Sequence, residues 1–337
     1  MSDIAGKKTT DTNASPSGYG WDFQVGAGIV LMLDNVKTFI SMKMEGASDD
    51  IELTLETGKI YAQAKSVTQM GDQSSASTNL TKALITLSKD AGNGDAVKLI
   101  YITNIINPFS SKISSDYQYG GSYEFSILPT DVQMKIRSKV DRDFPTDIFE
   151  VHILHFFGEG KNKFNSIKTK IAEFLRESID DISYSNQLLE SWFTTFMANA
   201  ADKPTNKKPF ELKKKDIIFP VIVLVIDRPT SENDFIRVCN HNNYSEVVQR
   251  FREIINRNIC DYEFVAGVLG DFLIKRNLFT DKANYKYSYV TTEWRGYEQQ
   301  FSVIKNQELR EAVIKLLLLS VINQSGKISD IRRATNL

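Results

Sequence analysis

The chain has 337 residues, which at ~150 residues per domain predicts about two domains with room for a sizeable core. Hydrophobic residues make up 42% and charged residues 25%, a balance that excludes a disordered, collagen-like or coiled-coil chain. The 41 Lys and Arg residues nearly cancel the 42 Asp and Glu residues, so the net charge of -1 excludes a strongly basic, constitutive nucleic-acid binder.

Cysteine usage and the N-terminal sequence predict a cytoplasmic protein. Cys239 and Cys260 show no CxxC pattern, which argues against both a disulfide scaffold and a zinc ribbon. Residues 1–17 are polar and lack the apolar core of a signal peptide, so we expect a flexible tail there. The most apolar stretches, 217–226 and 314–322, are shorter than the ~20 residues of a membrane span, so we expect no membrane partner.

The first two thirds of the chain show alternating strand and helix patterns, typical of an α/β domain. The predicted elements are a helix over 21–36, strands over 38–45, 50–56 and 59–66, a helix over 80–89, a strand over 97–103, a helix over 129–140, a strand over 148–157, helices over 165–177 and 187–197, and a buried strand over 217–226.

The remainder of the chain is predicted to be mostly helical, with helices over 245–256, 262–275 and 308–322. We therefore place a domain boundary near residue 228. The lysine-rich run over 203–215 is interpreted as a solvated linker in preference to a DNA contact. The apolar stretch over 312–322 is consistent equally with a buried core helix and with an assembly interface.

Two glycine motifs suggest nucleotide binding, and neither is complete. Gly26-Ala-Gly28 lies inside a helical pattern, so we expect close helix packing there instead of a dinucleotide loop. Gly158-Glu-Gly160-Lys161 follows a strand, but His155 replaces the first glycine of a phosphate-binding loop and Asn162 replaces its Ser or Thr. We interpret this segment as a strand-to-helix turn.

The two strands over 50–56 and 59–66 are predicted to form a hairpin with Thr57-Gly58 as a two-residue loop. The resulting pairs on one face are Leu55 with Ile60, Leu53 with Ala62 and Ile51 with Ala64. All three pairs are apolar, which favours this register and makes the opposite face polar.

The polar face of the hairpin gathers charged and amide side chains at its open end. The predicted register places Glu52 opposite Gln63 and Asp50 opposite Lys65. Glu45, on the polar phase of the preceding strand, can reach the same place. Two carboxylates, an amide and an ammonium therefore converge, with a third carboxylate nearby.

This group has the composition of a magnesium site with an attached catalytic lysine. Mg²⁺ prefers oxygen ligands and is typically held by one or two carboxylates plus substrate phosphate. Asp50, the Gln63 side-chain oxygen and the Ala64 carbonyl are the candidate ligands. Lys65 is the candidate group for orienting the attacking water or stabilising charge on the phosphoryl oxygens.

A structural explanation of the same residues stays open. Asp50 and Lys65 can form an exposed cross-strand ion pair worth ~0.2–1 kcal/mol, with Glu52 and Gln63 as ordinary solvent-face residues. Asp49 is also acidic, and the predicted pairing favours Asp50 over it as the site residue.

The order of these residues resembles the PD-(D/E)xK restriction-endonuclease-like core, in the variant where Gln replaces the second acidic residue. The wider pattern consists of residues 18–24 (GYGWDFQ), Glu45-Gly46, Asp49-Asp50-Ile51 and residues 61–66 (YAQAKS). It is similar to the nuclease domain of bacterial anti-phage effectors, the type named for the CD-NTase-associated double-stranded-DNA endonuclease and also found in Lamassu effector subunits. The resemblance covers residues 17–225 in outline and rests on residues 18–66.

The resemblance implies metal-dependent cleavage of double-stranded DNA, with Mg²⁺ as the cofactor and Mn²⁺ as a substitute. By the family pattern Asp50, Gln63 and Lys65 would be the catalytic set, Glu45 an additional acidic group in it, and Gln24 a supporting residue on a helix. Glu52 is a further supporting candidate. The implied fold is a mixed sheet flanked by helices, followed by a mostly helical C-terminal region.

We therefore expect a flexible tail (1–17), a nuclease domain (18–228) and a helical region (229–337) for partner binding or oligomerisation. The helical region resembles the Lamassu arrangement, which implies an SMC-like or other ATPase partner. The near-neutral charge favours an effector that is restrained until it oligomerises or is released by its partner. The alternative is a non-enzymatic interaction subunit with a degenerate nuclease fold.

Overall fold

The chain divides into two compact units, and a mixed β-sheet is the centre of the first. The computed structural model describes residues 15–44, 50–109, 120–201, 211–239, 244–281 and 284–337. The first unit comprises Met1–Glu173 and Ser185–Lys213, and the second comprises Phe174–Tyr184 and Lys214–Leu337.

The first unit alternates strands and helices along the chain. Its elements are α1 (Ser15–Asp34), β1 (Phe39–Met44), β2 (Ile51–Leu55), β3 (Gly58–Lys65), α2 (Ala76–Ala91), β4 (Ala96–Thr103), β5 (Gly121–Glu124), α3 (Thr130–Arg137), β6 (Phe149–Ile153), α4 (Asn165–Ile179), α5 (Ser185–Ala201) and β7 (Leu212–Lys213). Helix α4 continues into the second unit. The last three residues of the expected tail, 15–17, already belong to α1, and the rest of that tail lies outside the described residues.

The seven strands lie in the order β5-β6-β4-β3-β2-β1-β7. Strands β3, β4 and β6 are parallel, and the other neighbours pair antiparallel. Parallel neighbours need a crossover connection, which α2 supplies between β3 and β4 and α3 supplies between β4 and β6. The predicted α/β class, with a mixed sheet flanked by helices and a helical C-terminal region, is confirmed.

The two faces of the sheet are covered by different helices. On one face α2 and α3 pack over a buried cluster that includes Leu84, Tyr101 and Val151. On the other face α1 packs against β1, β2 and β3. Side chains alternate between the two faces along a strand, so the polar side chains of the β2–β3 hairpin lie on the face opposite α1. Helix α2 covers this face only over β3 and β4.

Helix α1 approaches its neighbours closely through the two glycines in its middle. A Cβ at Gly26 would lie 2.3 Å from Ile167 Cδ1 of α4, and one at Gly28 would lie 2.9 Å from Met44 Sδ of β1. The predicted close packing at Gly26-Ala-Gly28 is confirmed.

The second unit is helical. Its further helices are α6 (Lys214–Ile226), α7 (Glu232–Val238), α8 (Tyr244–Arg250), α9 (Arg252–Ile259), α10 (Tyr262–Lys275), α11 (Tyr285–Glu293), α12 (Gln307–Asn323) and α13 (Ser325–Thr335). Helix α12 packs against α7, α9, α10 and α11, and all of residues 312–322 are buried. The apolar stretch therefore lies in the core of this unit. In the described ranges, no helix combines the length and apolarity needed to cross a membrane.

The strand predicted over 217–226 is wrong, because these residues form α6. A continuous apolar run is compatible with a buried strand and a buried helix alike, and hydrophobic periodicity does not distinguish them. The division between the units lies before this helix, at Lys213 and Lys214, and not near residue 228. The wrong strand also explains the misplaced boundary, because a strand over 217–226 would have been assigned to the sheet of the first unit.

Candidate functional site

The β2–β3 hairpin carries the candidate site residues, and its register differs from the predicted one by two residues. The observed pairs are Ile51 with Ala62, Leu53 with Ile60 and Leu55 with Gly58. The two-residue loop is therefore Glu56-Thr57, and the predicted Thr57-Gly58 loop is wrong. A shift of two residues keeps every side chain on its predicted face.

The register follows from the packing of Gly58 against the start of β4. Gly58 has a φ of 143°, and a Cβ at this position would lie 2.6 Å from Val97 Cγ1 and 2.7 Å from the Asp95 carbonyl oxygen. A glycine is required here for the close approach of another strand. The rule that glycine marks the second loop position of a hairpin does not take such a tertiary contact into account.

Asp50 and Lys65 meet at the open end of this hairpin. Asp50 directly precedes β2, and Lys65 is the last residue of β3. Lys65 Nζ lies 2.8 Å from Asp50 Oδ2, and the Ala64 backbone N–H donates to the same oxygen at 2.8 Å. The side chains of Asp50 and Lys65 are 14% and 27% exposed. Continuing the observed register places Gln63 opposite Asp50, so Lys65 reaches the carboxylate diagonally.

Gln63 is buried on the same face of β3, next to this ion pair in the strand. Glu52, predicted to face Gln63, instead faces Tyr61 and lies farther from the open end. Its carboxylate is 3.6 Å from Lys43 Nζ and 3.2 Å from Lys59 Nζ. Glu52 therefore belongs to a separate charged network on the polar face of the sheet.

In that network, each lysine is paired with two carboxylates. Lys59 also lies 3.1 Å from Asp95, whose other oxygen accepts a hydrogen bond from the Tyr61 hydroxyl at 2.8 Å. Although burial opposes it, hydrogen bonding to the Asp95 and Glu52 carboxylates raises the pKa of Lys59. Lys43 lies 2.9 Å from Glu211 as well. The two lysines each hold two carboxylates, whereas Lys65 holds Asp50 alone in the part of the chain that is described.

The remaining candidate residues are Gln24, Glu45 and Asp49. Gln24 lies half-buried in α1, and the structure gives its side chain no hydrogen bond to another described residue. Glu45 and Asp49 fall in the segment 45–49, which lies outside the described residues.

Asn104 is a residue of this region that sequence analysis did not identify. It follows β4, is 1% exposed, and joins three segments at the carboxyl ends of the parallel strands. Its Oδ1 accepts from Val67 N–H at 2.8 Å, and its Nδ2 donates to the carbonyls of Val67 at 2.8 Å and Phe156 at 3.0 Å. Nδ2 also lies 3.3 Å from the Tyr19 hydroxyl. The amide thus fixes the backbone two residues after Lys65.

The donor atoms at Asp50 fit a magnesium ion that retains water and substrate oxygens among its ligands. Within the described ranges, Asp50 Oδ2 accepts two hydrogen bonds and Oδ1 accepts none. Over the same ranges no group of three or more His, Cys, Asp or Glu side chains is arranged to hold a metal ion. A site here therefore has one described carboxylate, which suits Mg²⁺ bound together with a phosphate and does not suit a zinc cage.

Comparison with known proteins adds no assignment: no family model matches the sequence, and no curated protein and no solved structure matches the chain.

Proposed function

We propose that this chain is a metal-dependent DNA endonuclease with Asp50 and Lys65 at its reacting centre. One observation carries the proposal: Asp50 uses a single carboxylate oxygen for Lys65 and the Ala64 N–H, which leaves Oδ1 unbonded among the described residues. The order of these residues also resembles the PD-(D/E)xK nucleases.

The side chains have distinct tasks in phosphodiester hydrolysis. The Lys65 ammonium, oriented by Asp50 Oδ2, stabilises negative charge on the phosphoryl oxygens and orients the attacking water. Asp50 Oδ1 is the oxygen that would hold Mg²⁺, with Gln63 and the Ala64 carbonyl as the further candidate ligands. When bound, Mg²⁺ acts as a Lewis acid on the phosphate and lowers the pKa of a coordinated water.

Cleavage of supercoiled plasmid, with Mg²⁺, with Mn²⁺ and without metal, tests this proposal. Lys65→Met and Asp50→Asn are expected to lower the rate about a hundredfold or more, because each removes a charge at the reacting centre. Lys59→Met is the matched control, because Lys59 lies on the same strand and face and is 31% exposed. Equal activity of Lys65→Met and Lys59→Met would contradict the assigned role of Lys65.

We further propose that the isolated chain is restrained, as an anti-phage effector would be before activation. Lys43, Lys59 and Lys65 on the polar face are each paired with carboxylates, so a DNA phosphate must compete with internal ion pairs. Oligomerisation, or release by an SMC-like or other ATPase subunit, would combine several weak phosphate contacts. Specific activity should therefore rise with protein concentration.

A constant specific activity over a wide range of protein concentration, without any partner, would contradict restraint. Absence of metal-dependent cleavage even with the ATPase subunit present would favour the alternative, a non-enzymatic interaction subunit.

A further inference from the structure

The first unit contains a cavity of about 480 Å³ whose lining includes neither Asp50 nor Lys65. Its walls are the segment that leads into α4, the first turn of α4, the first turns of α5, and Asp22 of α1. This volume lies within the ~300–1,000 Å³ typical of small-ligand sites. The segment contains Gly160, whose φ of 54° allows the turn from the Gly158-Glu-Gly160-Lys161 motif into the helix.

The apolar part of the cavity is aromatic. The rings of Phe164 and Phe193 pack edge to face, with centroids 5.3 Å apart, and both are half-buried. Leu189 completes this wall. Half-buried rings at a cavity surface are suited to stacking against a flat, unsaturated ligand group.

The polar part of the cavity has a positive excess. Lys163 is bonded to Asp22, and its ammonium lies 5.3 Å from the centre of the Phe164 ring. Lys161 pairs with Glu190 at 2.7 Å. Lys168, the third lysine of the lining, forms no hydrogen bond or salt bridge with any described residue and interacts with Glu190 only by longer-range electrostatic attraction. The cavity thus offers one available ammonium beside an aromatic wall.

We propose that this cavity binds a nucleoside phosphate, with the base against Phe164 and Phe193 and the phosphate at Lys168. Inorganic phosphate alone would leave the aromatic wall unused, and a neutral aromatic compound would leave Lys168 unpaired. A DNA strand fits less well, because two of the three lysines are neutralised by Asp22 and Glu190 and because the rings line a cavity. The proposal is independent of nuclease activity, since binding is measured directly.

The test is isothermal titration of the full chain with the four nucleoside 5′-monophosphates, with adenosine and with inorganic phosphate. At least one monophosphate should bind about tenfold or more tightly than inorganic phosphate, and AMP should bind more tightly than adenosine. Lys168→Met should weaken binding of the monophosphate about tenfold, which is the effect of losing one charge-assisted hydrogen bond. Phe193→Leu should weaken binding of the monophosphate and leave that of inorganic phosphate unchanged.

Lys170→Met is the matched control, because Lys170 lies two residues farther along α4, outside this cavity, and pairs with Asp34 at 3.5 Å. An equal loss in Lys168→Met and Lys170→Met would show a general charge effect and overturn the proposal. Absence of binding by all four monophosphates at millimolar concentration would overturn it as well. If only a single-stranded oligonucleotide binds, and its binding depends on Lys168, these lysines bind DNA and the proposal of a small ligand is overturned.

Discussion

Replacement of Asn104 by alanine tests whether one buried amide holds together the strand ends next to Lys65. The side chain makes three hydrogen bonds of 2.8–3.0 Å to backbone groups of Val67 and Phe156, and it is 1% exposed. Alanine would leave two carbonyls and one N–H without these partners in the interior of the first unit.

The expected cost follows from the number of groups that lose a partner. A buried polar group without a hydrogen bond costs about 1–3 kcal/mol, so three such groups give an upper range of about 3–9 kcal/mol. The three bonds belong to one network, and the space vacated by the amide admits water, so the effects are not additive. We expect a loss of about 3–4 kcal/mol in the free energy of unfolding of the first unit, a large part of the total for a domain.

Urea unfolding followed by tryptophan fluorescence measures this loss if the signal comes from the first unit alone. Two of the three tryptophans, Trp21 and Trp192, lie in that unit, and Trp294 lies in the second. The measurement is therefore made in a Trp294→Phe background. Because the same bonds fix the backbone after Lys65, Asn104→Ala should also lower the turnover of DNA cleavage where the variant is fully folded.

Asn35→Ala is the control for this experiment. Asn35 donates one local bond to the Leu31 carbonyl at 2.8 Å and is only half-buried, so its replacement should cost less than ~1 kcal/mol. A cost for Asn104→Ala no larger than that of the control would refute the assignment of Asn104 as a link between the strand ends.

Two further predictions concern packing and charge in the first unit. Gly26→Ala should destabilise this unit by about 1 kcal/mol, because overpacking against Ile167 exceeds the gain in helix propensity. Gly20→Ala should stabilise it by up to ~1 kcal/mol, because a Cβ at Gly20 would have no atom within 4 Å. Urea unfolding of both variants measures these changes, and equal shifts would contradict the prediction. Hydrogen bonds from His152, the larger effect, and from Lys98 lower the pKa of Glu150 from 4.5 to about 2 although burial opposes this, so its contribution to stability is complete above pH 4.5 and is lost as the pH falls toward 2. Glu150→Gln should therefore be about 2–3 kcal/mol less stable at neutral pH, with a difference that shrinks below pH 4.5, and a constant difference would be inconsistent with this pairing.

Most helices and strands of the first unit could be predicted because their apolar periodicity is strong and their ends carry local signals. The strands β1 to β4 and β6, and the helices α4 and α5, lie within about four residues of their predicted positions, whereas α1 begins at Ser15 and not near residue 21. Helix α6 was predicted wrongly because it is apolar on all sides, and such a run contains no periodic information. The helix predicted over 245–256 is divided into α8 and α9 at Phe251, which no glycine or proline marks.

Asn104 could not have been predicted from local sequence, because its partners are distant along the chain. Val67, Phe156 and Tyr19 are 37, 52 and 85 residues away. Only the topology brings the ends of β3, β4 and β6 to one edge of the sheet, and a single buried amide then satisfies backbone groups from two of these segments.

The hairpin shows which part of a site prediction depends on register and which part does not. The register was wrong by two residues, yet Asp50 and Lys65 are in contact, because a shift of two preserves the face and a lysine is long enough to reach diagonally. The pairing of Glu52 with Gln63 depended on the register itself, and it was wrong.

On the same sheet face, the ion pairs of Lys59 allow a comparison between a structural lysine and Lys65. Lys59 is held by two carboxylates, at 3.2 Å from Glu52 and 3.1 Å from Asp95, and its ammonium lies 5.9 Å from the centre of the Tyr61 ring. Lys65 has one carboxylate partner among the described residues, and that carboxylate leaves one oxygen unbonded there. If both lysines served only stability, Lys65→Met and Lys59→Met would differ little in DNA cleavage, and Lys59→Met would be the more destabilising. A hundredfold loss of cleavage in Lys65→Met alone would assign the chemistry to Lys65, because Lys59→Met removes two ion pairs from the same sheet face and therefore controls for lost stability.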